Sequence, residues 1–376
     1  MEGEFMATFL GWFLSLAAVA VGVGGFGEVG LRFELVVVDK NPPDRPWVKL
    51  AGDLDGDGQV DLVVGGAKGP LAVYQGPSWK KFIIAEGGWD GVRGSIVDID
   101  GDSRPDIALG GVVWFRNPGR LDVLWEMHRV DKRRMHDILA ADLDADGKAD
   151  LVGRDQSAFG RAGNAVYLYF QDAPERWSAQ NFTCPHGEGI AIADLNGDAR
   201  MDIIIGGRWY ENPGKRGAVW TEHVFTHSWE HPHAKVEVGD MNGDGRVDIV
   251  LAPAELAGQW YKIAWYEAPS NPQGQWQEHV VVERVEAVIH SLALADFDTD
   301  GQLDIAYAHM HQGQPPREVV VLLNRNAGRN WVKMVLSERG SHDLVAVDVN
   351  ADSRPDLLGA NHAGAYQAVE LFLNSK

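Results

Sequence analysis

The chain has 376 residues, with 34 Lys plus Arg against 54 Asp plus Glu, a net charge of −20, and one Cys. That balance argues against nucleic acid or anionic lipid as a general ligand, because both need basic patches, and a lone Cys184 excludes an internal disulfide framework. An apolar content of 45% argues against disorder, and 14 Trp, 44 Gly and few helix-like stretches point to an all-β protein whose loops are stapled by something other than disulfides.

Residues 5–27 carry no charge and are bracketed by Glu4 and Glu28. The stretch is long enough to cross a bilayer as a helix. Its N-terminal position and its small-residue end read as a secretory signal peptide, although MEGEF lacks the usual Lys or Arg and Met6 suits a natural start better. Residues 1–27 are thus expected to be a signal peptide or an uncleaved membrane anchor, with a buried strand or helix as the remaining alternative. Either of the first two exports the rest, to an extracellular or periplasmic location.

Downstream, residues 31–39 (LRFELVVVD) read as one strand. An acidic nonapeptide then recurs seven times, at 53–61, 98–106, 142–150, 194–202, 240–248, 296–304 and 348–356. Each copy lies between two short apolar runs, followed by an aromatic stretch such as VVWFRNPG or RWYENPG and a Trp-led stretch such as WEMHRV or WTEHVF. Period-two alternation bounded by Gly, Pro, Asn and Asp marks strands. Each unit holds four, A to D, with the acidic loop between A and B. Four strands in about fifty residues make a propeller blade. The fold class is therefore all-β, a seven-bladed β-propeller over 31–376. The seventh unit lacks a D strand, and residues 31–39 are expected to supply it, closing the ring and removing exposed edges.

Loop positions 1, 3, 5 and 9 carry Asp or Asn. The predicted metal ligands are Asp53, Asp55, Asp57 and Asp61; Asp98, Asp100, Asp102 and Asp106; Asp142, Asp144, Asp146 and Asp150; Asp194, Asn196, Asp198 and Asp202; Asp240, Asn242, Asp244 and Asp248; Asp296, Asp298, Asp300 and Asp304; and Asp348, Asn350, Asp352 and Asp356. Ca²⁺ takes six to eight oxygens, and such a loop offers side chains at 1, 3 and 5, the carbonyl at 7, and up to two oxygens at 9. Position 12 is never a carboxylate, so each loop enters a strand and not an EF-hand helix. The loops hold 25 of the 54 acidic residues, a strong mutual repulsion unless neutralised. Up to seven structural Ca²⁺ are expected, with the weakest affinity at 348–356, which has Asn350, Ala351 and Ser353 and no Gly.

The D-x-[DN]-x-D-x-x-x-D loops, with the GG and WYENPG stretches after them, resemble FG-GAP/VCBS-type propeller repeats over about residues 31–376. The resemblance implies a propeller like those of rhamnogalacturonan lyases and aldos-2-ulose dehydratase and, more distantly, the integrin α head. The literal FG-GAP string is absent, which places the chain nearer the carbohydrate-associated branch. Such a resemblance implies architecture and calcium better than it implies chemistry.

In a propeller, strand A lines the channel and the A–B loops leave from one face. A six-residue strand sets the opposite face ~20 Å away, so calcium there is structural. Nine of the 13 histidines fall on segments facing that opposite rim. His136, His290 and His342 each stand six residues before a loop Asp and are candidate bases. Arg154 and Tyr366 are candidates for neutralising charge and for protonating a leaving oxygen. His231, His233, His309, His311 and His362 are candidates to hold Zn²⁺ or Mn²⁺, the two H-x-H pairs as strand chelates. Two functions stay open: a carbohydrate lyase or dehydratase, and a non-catalytic extracellular module that binds a glycan, a protein or another cell-surface ligand. No nucleophile elbow, phosphate loop or dinucleotide fingerprint is present.

Overall fold

The computed structural model describes residues 30–375 except 90 and 156–163, and the expected signal or anchor segment lies outside these. Every regular element among the described residues is a β-strand, and no helix is long and apolar enough to cross a membrane. The chain opens with β1 (Arg32–Asp39). Blade one is β2 (Pro46–Gly52), β3 (Asp61–Gly66), β4 (Leu71–Gln75) and β5 (Lys80–Ala85). Blade two is β6 (Ser95–Val97), β7 (Asp106–Leu109), β8 (Val113–Arg116) and β9 (Glu126–Arg129). Blade three is β10 (Met135–Ala141), β11 (Asp150–Asp155), β12 (Ala165–Ala173) and β13 (Arg176–Thr183). Blade four is β14 (Ala191–Ala193), β15 (Asp202–Ile205), β16 (Arg208–Glu211) and β17 (Thr221–Val224). Blade five is β18 (Ala234–Gly239), β19 (Asp248–Pro253), β20 (Leu256–Glu267) and β21 (Gln277–Ala287). Blade six is β22 (Ser291–Ala295), β23 (Asp304–Ala308), β24 (Val319–Arg325) and β25 (Asn330–Ser337). Blade seven is β26 (His342–Val347), β27 (Asp356–Ala360) and β28 (Val369–Ser375), with β1 outermost. β1 runs antiparallel to β28, with Leu35 opposite Phe372, so the N-terminal strand closes the ring as expected.

The B strands read as unbroken apolar runs because both faces are buried. Alternate side chains point to opposite neighbours. In β3, Leu62 and Val64 pack with Leu358 and Leu371 of blade seven, while Val63 packs with Ile107 and Phe115 of blade two. In β15, Ile203 and Ile205 join blade three and Ile204 joins blade five. On the outer strands, the W-x-x-H histidines meet the Trp opposite them. His128, His223 and His279 stack on Trp114, Trp209 and Trp265 at ring separations of 4.3, 4.2 and 4.2 Å.

Each acidic loop bends through left-handed backbone at its fourth and sixth positions, which is why Gly recurs there. Blade five has Gly at both, Gly243 and Gly245, at φ of 78° and 83°. Blade seven places Ala351 and Ser353 at 57° and 65°, an unfavourable conformation for residues with a Cβ.

Blades are also stitched by side-chain amides at the end of strand C. Asn324 donates to the Met241 carbonyl of blade five, Asn212 to Leu143 of blade three, Asn117 to Leu54 of blade one and Asn374 to Phe297 of blade six. Gln171 reaches Ile99 in the same way, whereas Ala268 and Gly76 hold this position in blades five and one and have no side-chain amide to give. Asn324 is fully buried, so Asn324→Ala leaves carbonyls without donors and is expected to cost about 1–3 kcal/mol, read as a lower denaturation midpoint with an unchanged m-value.

Candidate functional site

The A–B loops sit on one face. In every blade the position-nine Asp is 0% exposed. Its Oδ2 accepts the N–H of loop position two, as in Leu54 to Asp61 and Met241 to Asp248. Its Oδ1 accepts the N–H that follows strand C, as in Gly76 to Asp61 and Ala268 to Asp248. Both oxygens are thus engaged by the backbone, so an ion would reach this Asp only through the second lone pair of an oxygen. Positions one, three and five converge. Ligand oxygens of Asp53, Asp55 and Asp57, of Asp142, Asp144 and Asp146, and of Asp296, Asp298 and Asp300 lie within 4.8 Å of one another, as do those of Asp98, Asp100 and Asp106.

The position-three residue tracks its surroundings. Where it is Asp, a neighbour answers: Gln75 to Asp55, Arg116 to Asp100, Arg216 to Asp144 and Arg325 to Asp298. Where it is Asn, in blades four, five and seven, the chain supplies no such arginine among the described residues. Among the described residues, loops 53–61 and 348–356 have no ion pair to Lys or Arg, and the first of these carries four Asp.

At the opposite mouth the histidines form a row. His136 lies 4.9 Å from His290, His290 stacks on His342 at 4.4 Å, His342 meets His362 at 4.4 Å, and His362 meets His311 at 4.6 Å, between ring centroids. These come from blades three, six and seven. The sequence-predicted trio His136, His290 and His342 is therefore brought together.

Glu188 is the centre of the other half. It sits in a Gly187-Glu188-Gly189 segment packed flat on the stretch before β18. A Cβ on Gly187 would lie 1.8 Å from the Pro232 carbonyl oxygen, and one on Gly189 would lie 1.6 Å from that of Ala234, so only glycine fits on either side. The Glu188 carboxylate is 2% exposed, and neither oxygen has a hydrogen-bond partner. It faces His136 Nε2 at 3.9 Å, His290 Nε2 at 3.8 Å and His233 Nδ1 at 3.9 Å. Glu255 Oε1 lies 3.7 Å from His290 Nε2. One ligand atom each from His136, Glu188 and His290 falls within 4.8 Å of the others, a set that suits a divalent transition metal.

Electrostatics follow from this packing. Burial opposes charge on His136, but Asp137, whose Oδ1 lies 3.0 Å from His136 Nδ1, and then Glu188 and Glu255 outweigh it and hold His136 up to about 9. Burial also works against the Glu188 carboxylate, and His290, His136 and His233 together hold it below the ordinary glutamate value. Burial and then the Glu188 charge push Glu255 up. His342 is held well below the usual histidine range by burial and then by its histidine neighbours.

Several sequence-predicted residues sit elsewhere or act differently. The H-x-H pairs do not chelate, because neither lies on a strand and the i, i+2 rule fails in loops. His231 Nδ1 bonds the His233 carbonyl at 2.6 Å and packs on Tyr261, while His233 turns to Glu188. His309 turns toward Tyr307 and the Glu318 carbonyl, away from His311. Arg154 is 2% exposed and donates to the Gly189 and Pro185 carbonyls, so it holds the Glu188 segment and is closed to substrate. Tyr366 is tied to Glu370 and Arg339, with its phenol pushed up to about 12 by burial and Glu370, which makes it a poor proton donor.

Below the row, the channel-facing starts of the A strands carry charge. Lys235 Nζ bonds Asp343 Oδ1 at 2.5 Å, and Arg93 pairs with Glu237 at 2.9 Å. A cavity of about 370 Å³ follows, lined by Lys49, Arg93, Glu237 and Asp343 with aliphatic side chains from β22 and β26. Sequence reasoning placed Arg93 on this rim but passed over Lys49, Lys235, Glu237 and Asp343 of the belt, and Asp137. The repeated His-Asp dipeptides at 136–137 and 342–343, each opening an otherwise apolar strand, were the available signal.

The FG-GAP-like repeat family matches at residues 53–109, 142–205 and 240–307. The chain belongs to that family. No curated protein matches this FG-GAP-like chain in sequence. Among solved structures it is similar to rhamnogalacturonan lyase YesW at 13% identity and a TM-score of 0.51, over 90% of this chain and 75% of that one. It is similar to BBS1N, solved in complex with ARL6DN, at 14% identity and a TM-score of 0.56, over 92% and 97% of the two chains. A chain of the mitotic checkpoint complex aligns over 99% of both chains at 10% identity and a TM-score of 0.54. At such identities the likeness is one of fold alone.

Glu255 adopts φ of 68°, a left-handed conformation costly for a residue with a side chain, at the edge of the His-Glu cluster. Glu255→Gly relieves that cost and is expected to leave the melting temperature unchanged or raise it by the equivalent of about 1 kcal/mol. A clear fall in a thermal melt would show that the Glu255 side chain holds the fold.

Proposed function

We propose that this protein is an exported, calcium-stabilised propeller that processes carbohydrate by elimination at the His136–Glu188–His290 mouth. The observation that carries the reading is Glu188: a buried carboxylate without a hydrogen bond, facing imidazoles from three other blades. Such a group is costly unless a cation joins it; without an ion that cation is protonated His136, held up to about 9, and an entering Zn²⁺ or Mn²⁺ would take the place of its proton, two imidazoles and one carboxylate being a fitting donor set. His136, Glu188 and His290 would hold the ion, which would supply positive charge opposite the negative charge that develops during elimination.

The chain's own residues do the rest. Asp137 accepts the Nδ1 proton of His136 and fixes the ring with Nε2 toward Glu188. Glu255, pushed up by burial and Glu188, is the base. It takes the proton from the carbon next to the activating group, the C–H electron pair becomes the double bond, the β carbon–oxygen bond breaks, and the same carboxyl returns the proton to the departing oxygen. No redox partner is required. This reassigns the bases expected at His136 and His290, which face Glu188, and at His342, which is 2% exposed.

Metal analysis and isothermal titration in calcium buffer test the reading. Wild type should retain about one transition-metal ion, and Glu188→Gln should weaken it by at least about 100-fold while melting normally. Absence of metal binding in wild type, or no new ultraviolet absorbance from unsaturated products on any acidic or neutral glycan, would refute it.

Export rests on the uncharged stretch 5–27. Calcium rests on the convergent loop carboxylates, and its affinity should be greatest at 53–61, where four Asp meet no internal cation. Asp57→Asn should therefore remove the tightest step of a calcium or terbium titration, whereas Asp102→Asn, beside Arg104, should alter a weaker one.

A second reading, non-catalytic ligand binding, draws on the long hairpin of β20 and β21. There Trp260 is 48% exposed with the Arg284 guanidinium 4.7 Å from its ring centre, a platform for a sugar ring or a protein side chain. Two of the structural neighbours were solved in protein complexes.

A further inference from the structure

Strand β20 departs from its partner beside the mouth. Leu256 lies opposite Ala287 and Trp260 opposite Glu286, so Ala257, Gly258 and Gln259 fall out of register and stand exposed. A bulge of this kind takes backbone groups out of the ladder and re-aims the residues beside it. Immediately before it comes Glu255, left-handed at φ of 68°, with its Oε1 3.7 Å from His290 Nε2. The upstream side of Glu255 is pinned by backbone: the Ala254 N–H donates to the His233 carbonyl, and the Pro253 carbonyl accepts the Ile289 N–H.

On the downstream side a side chain does this work. Glu286 is 1% exposed; its Oε1 accepts the Gly258 N–H at 2.8 Å and its Oε2 accepts the Gln314 N–H at 2.6 Å. Gly258 is the centre of the bulge in blade five, and Gln314 belongs to the turn of blade six that follows His311. That turn is packed onto the same carboxylate, since a Cβ on Gly313 would lie 3.3 Å from Glu286 Oε2 and 2.9 Å from Val288 Cγ2. The Glu286 carbonyl accepts the Val288 N–H, and the Val288 carbonyl accepts the Met310 N–H, so the stretch leading to His290 is tied to the turn as well.

The residue type fits the task. A carboxylate has an acceptor at each tip and no donor, whereas glutamine would turn an N–H toward one of the two N–H groups. Hydrogen bonds to an ionised acceptor are also the stronger kind. A left-handed residue with a side chain persists only where its surroundings over-determine it. Glu255 meets that condition, with backbone bonds before it and the Glu286 bridge after it.

We propose that Glu286 is a positioning residue that clips blades five and six together at the mouth and, through Gly258, keeps the Glu255 carboxylate beside His290. The inference rests on the elimination reading only in giving Glu255 the part of base.

Glu286→Gln and Glu255→Gln, singly and together, test it in the full chain with millimolar calcium. Hydrogen exchange read by mass spectrometry should be at least about ten-fold faster over 256–260 and 311–316 in Glu286→Gln and unchanged in the B strands. Retained transition metal should match wild type, because the ion would be held by His136, Glu188 and His290. On the glycan that wild type converts, kcat should fall at least about ten-fold with KM little changed. The double variant should be no slower than Glu255→Gln alone, since a clip that acts through Glu255 then has no base to position. Thermal melts show whether each variant folds; Glu286→Asp, which keeps the charge but shortens the reach, carries the same expectations if Glu286→Gln does not. Unchanged exchange in both segments, faster exchange around the whole ring, or a rate loss that adds to that of Glu255→Gln would overturn the proposal. A wild type that eliminates nothing refutes Glu255 as base and leaves exchange to decide the clip, whereas wild-type exchange in an active Glu286→Gln variant refutes the clip alone.

Discussion

One carboxylate per blade organises the structure. The position-nine Asp is buried in all seven repeats and accepts one N–H from its own loop and one from the end of strand C. It ties the A–B turn to the third strand of the same sheet, and in five blades the amide that follows then reaches the preceding blade. A hydrogen bond to a charged group contributes about 1.5–3 kcal/mol, more than a neutral pair. The opposing cost is burial, which pushes these carboxyls up to about 6 in blade one and about 7 in blade five. A cation in the loop would shift that balance toward the ionised form, which is the physical link between loop charge and ring rigidity.

Rigidity on the loop face permits irregularity on the other. The mouth is built from the starts of β10 and β26, the segments that precede β2, β14, β18 and β22, and those that follow β19, β23 and β27. These positions tolerate left-handed Arg45, Glu255 and Asp343 and the close backbone approach at Gly187 and Gly189. Arg154 anchors one such segment through its carbonyls, and a parallel bridge joins Glu188 to His233. Beneath them the Lys235–Asp343 and Arg93–Glu237 pairs cross the channel between blades. Their partners are fixed by the sheets, so their geometry can be good enough to offset desolvation.

The fold was legible because a repeat multiplies a weak signal. One acidic turn is ambiguous, but seven with the same flanking runs leave little room for another architecture, and the missing D strand pointed to β1. The mouth was legible in part. Counting back from each loop placed His136, His290 and His342 on one rim, since strand A has a nearly fixed length. The partners were harder to find. Glu188 is brought to His136 and His290 by ring closure across 52 and 102 residues of chain, which no local pattern encodes, although the flanking glycines of PHGEG marked a close backbone approach. The H-x-H pairs misled because a strand rule was applied to residues that lie just past the strand ends. Arg154 and Tyr366 misled because residue type says nothing of whether a side chain has already been used by its neighbours.

The two halves of the mouth pose opposite electrostatic problems. On the Glu188 side, carboxylates exceed the cations the chain provides unless imidazoles are protonated, and His136 is held up to about 9 for that reason. On the Lys49 side the ammonium is spent on the Pro46, Trp47 and Ala360 carbonyls, and burial brings Lys49 down to about 7. The simplest internal remedy would be to pair the Glu188 carboxylate with a lysine directly, as Lys235 and Asp343 do one layer below. Glu188 meets imidazoles instead, and the rings of His290, His342 and His362 continue that row away from it. A buried carboxylate that faces only imidazoles is maintained at the expense of stability, and that arrangement is explained if a cation enters beside it.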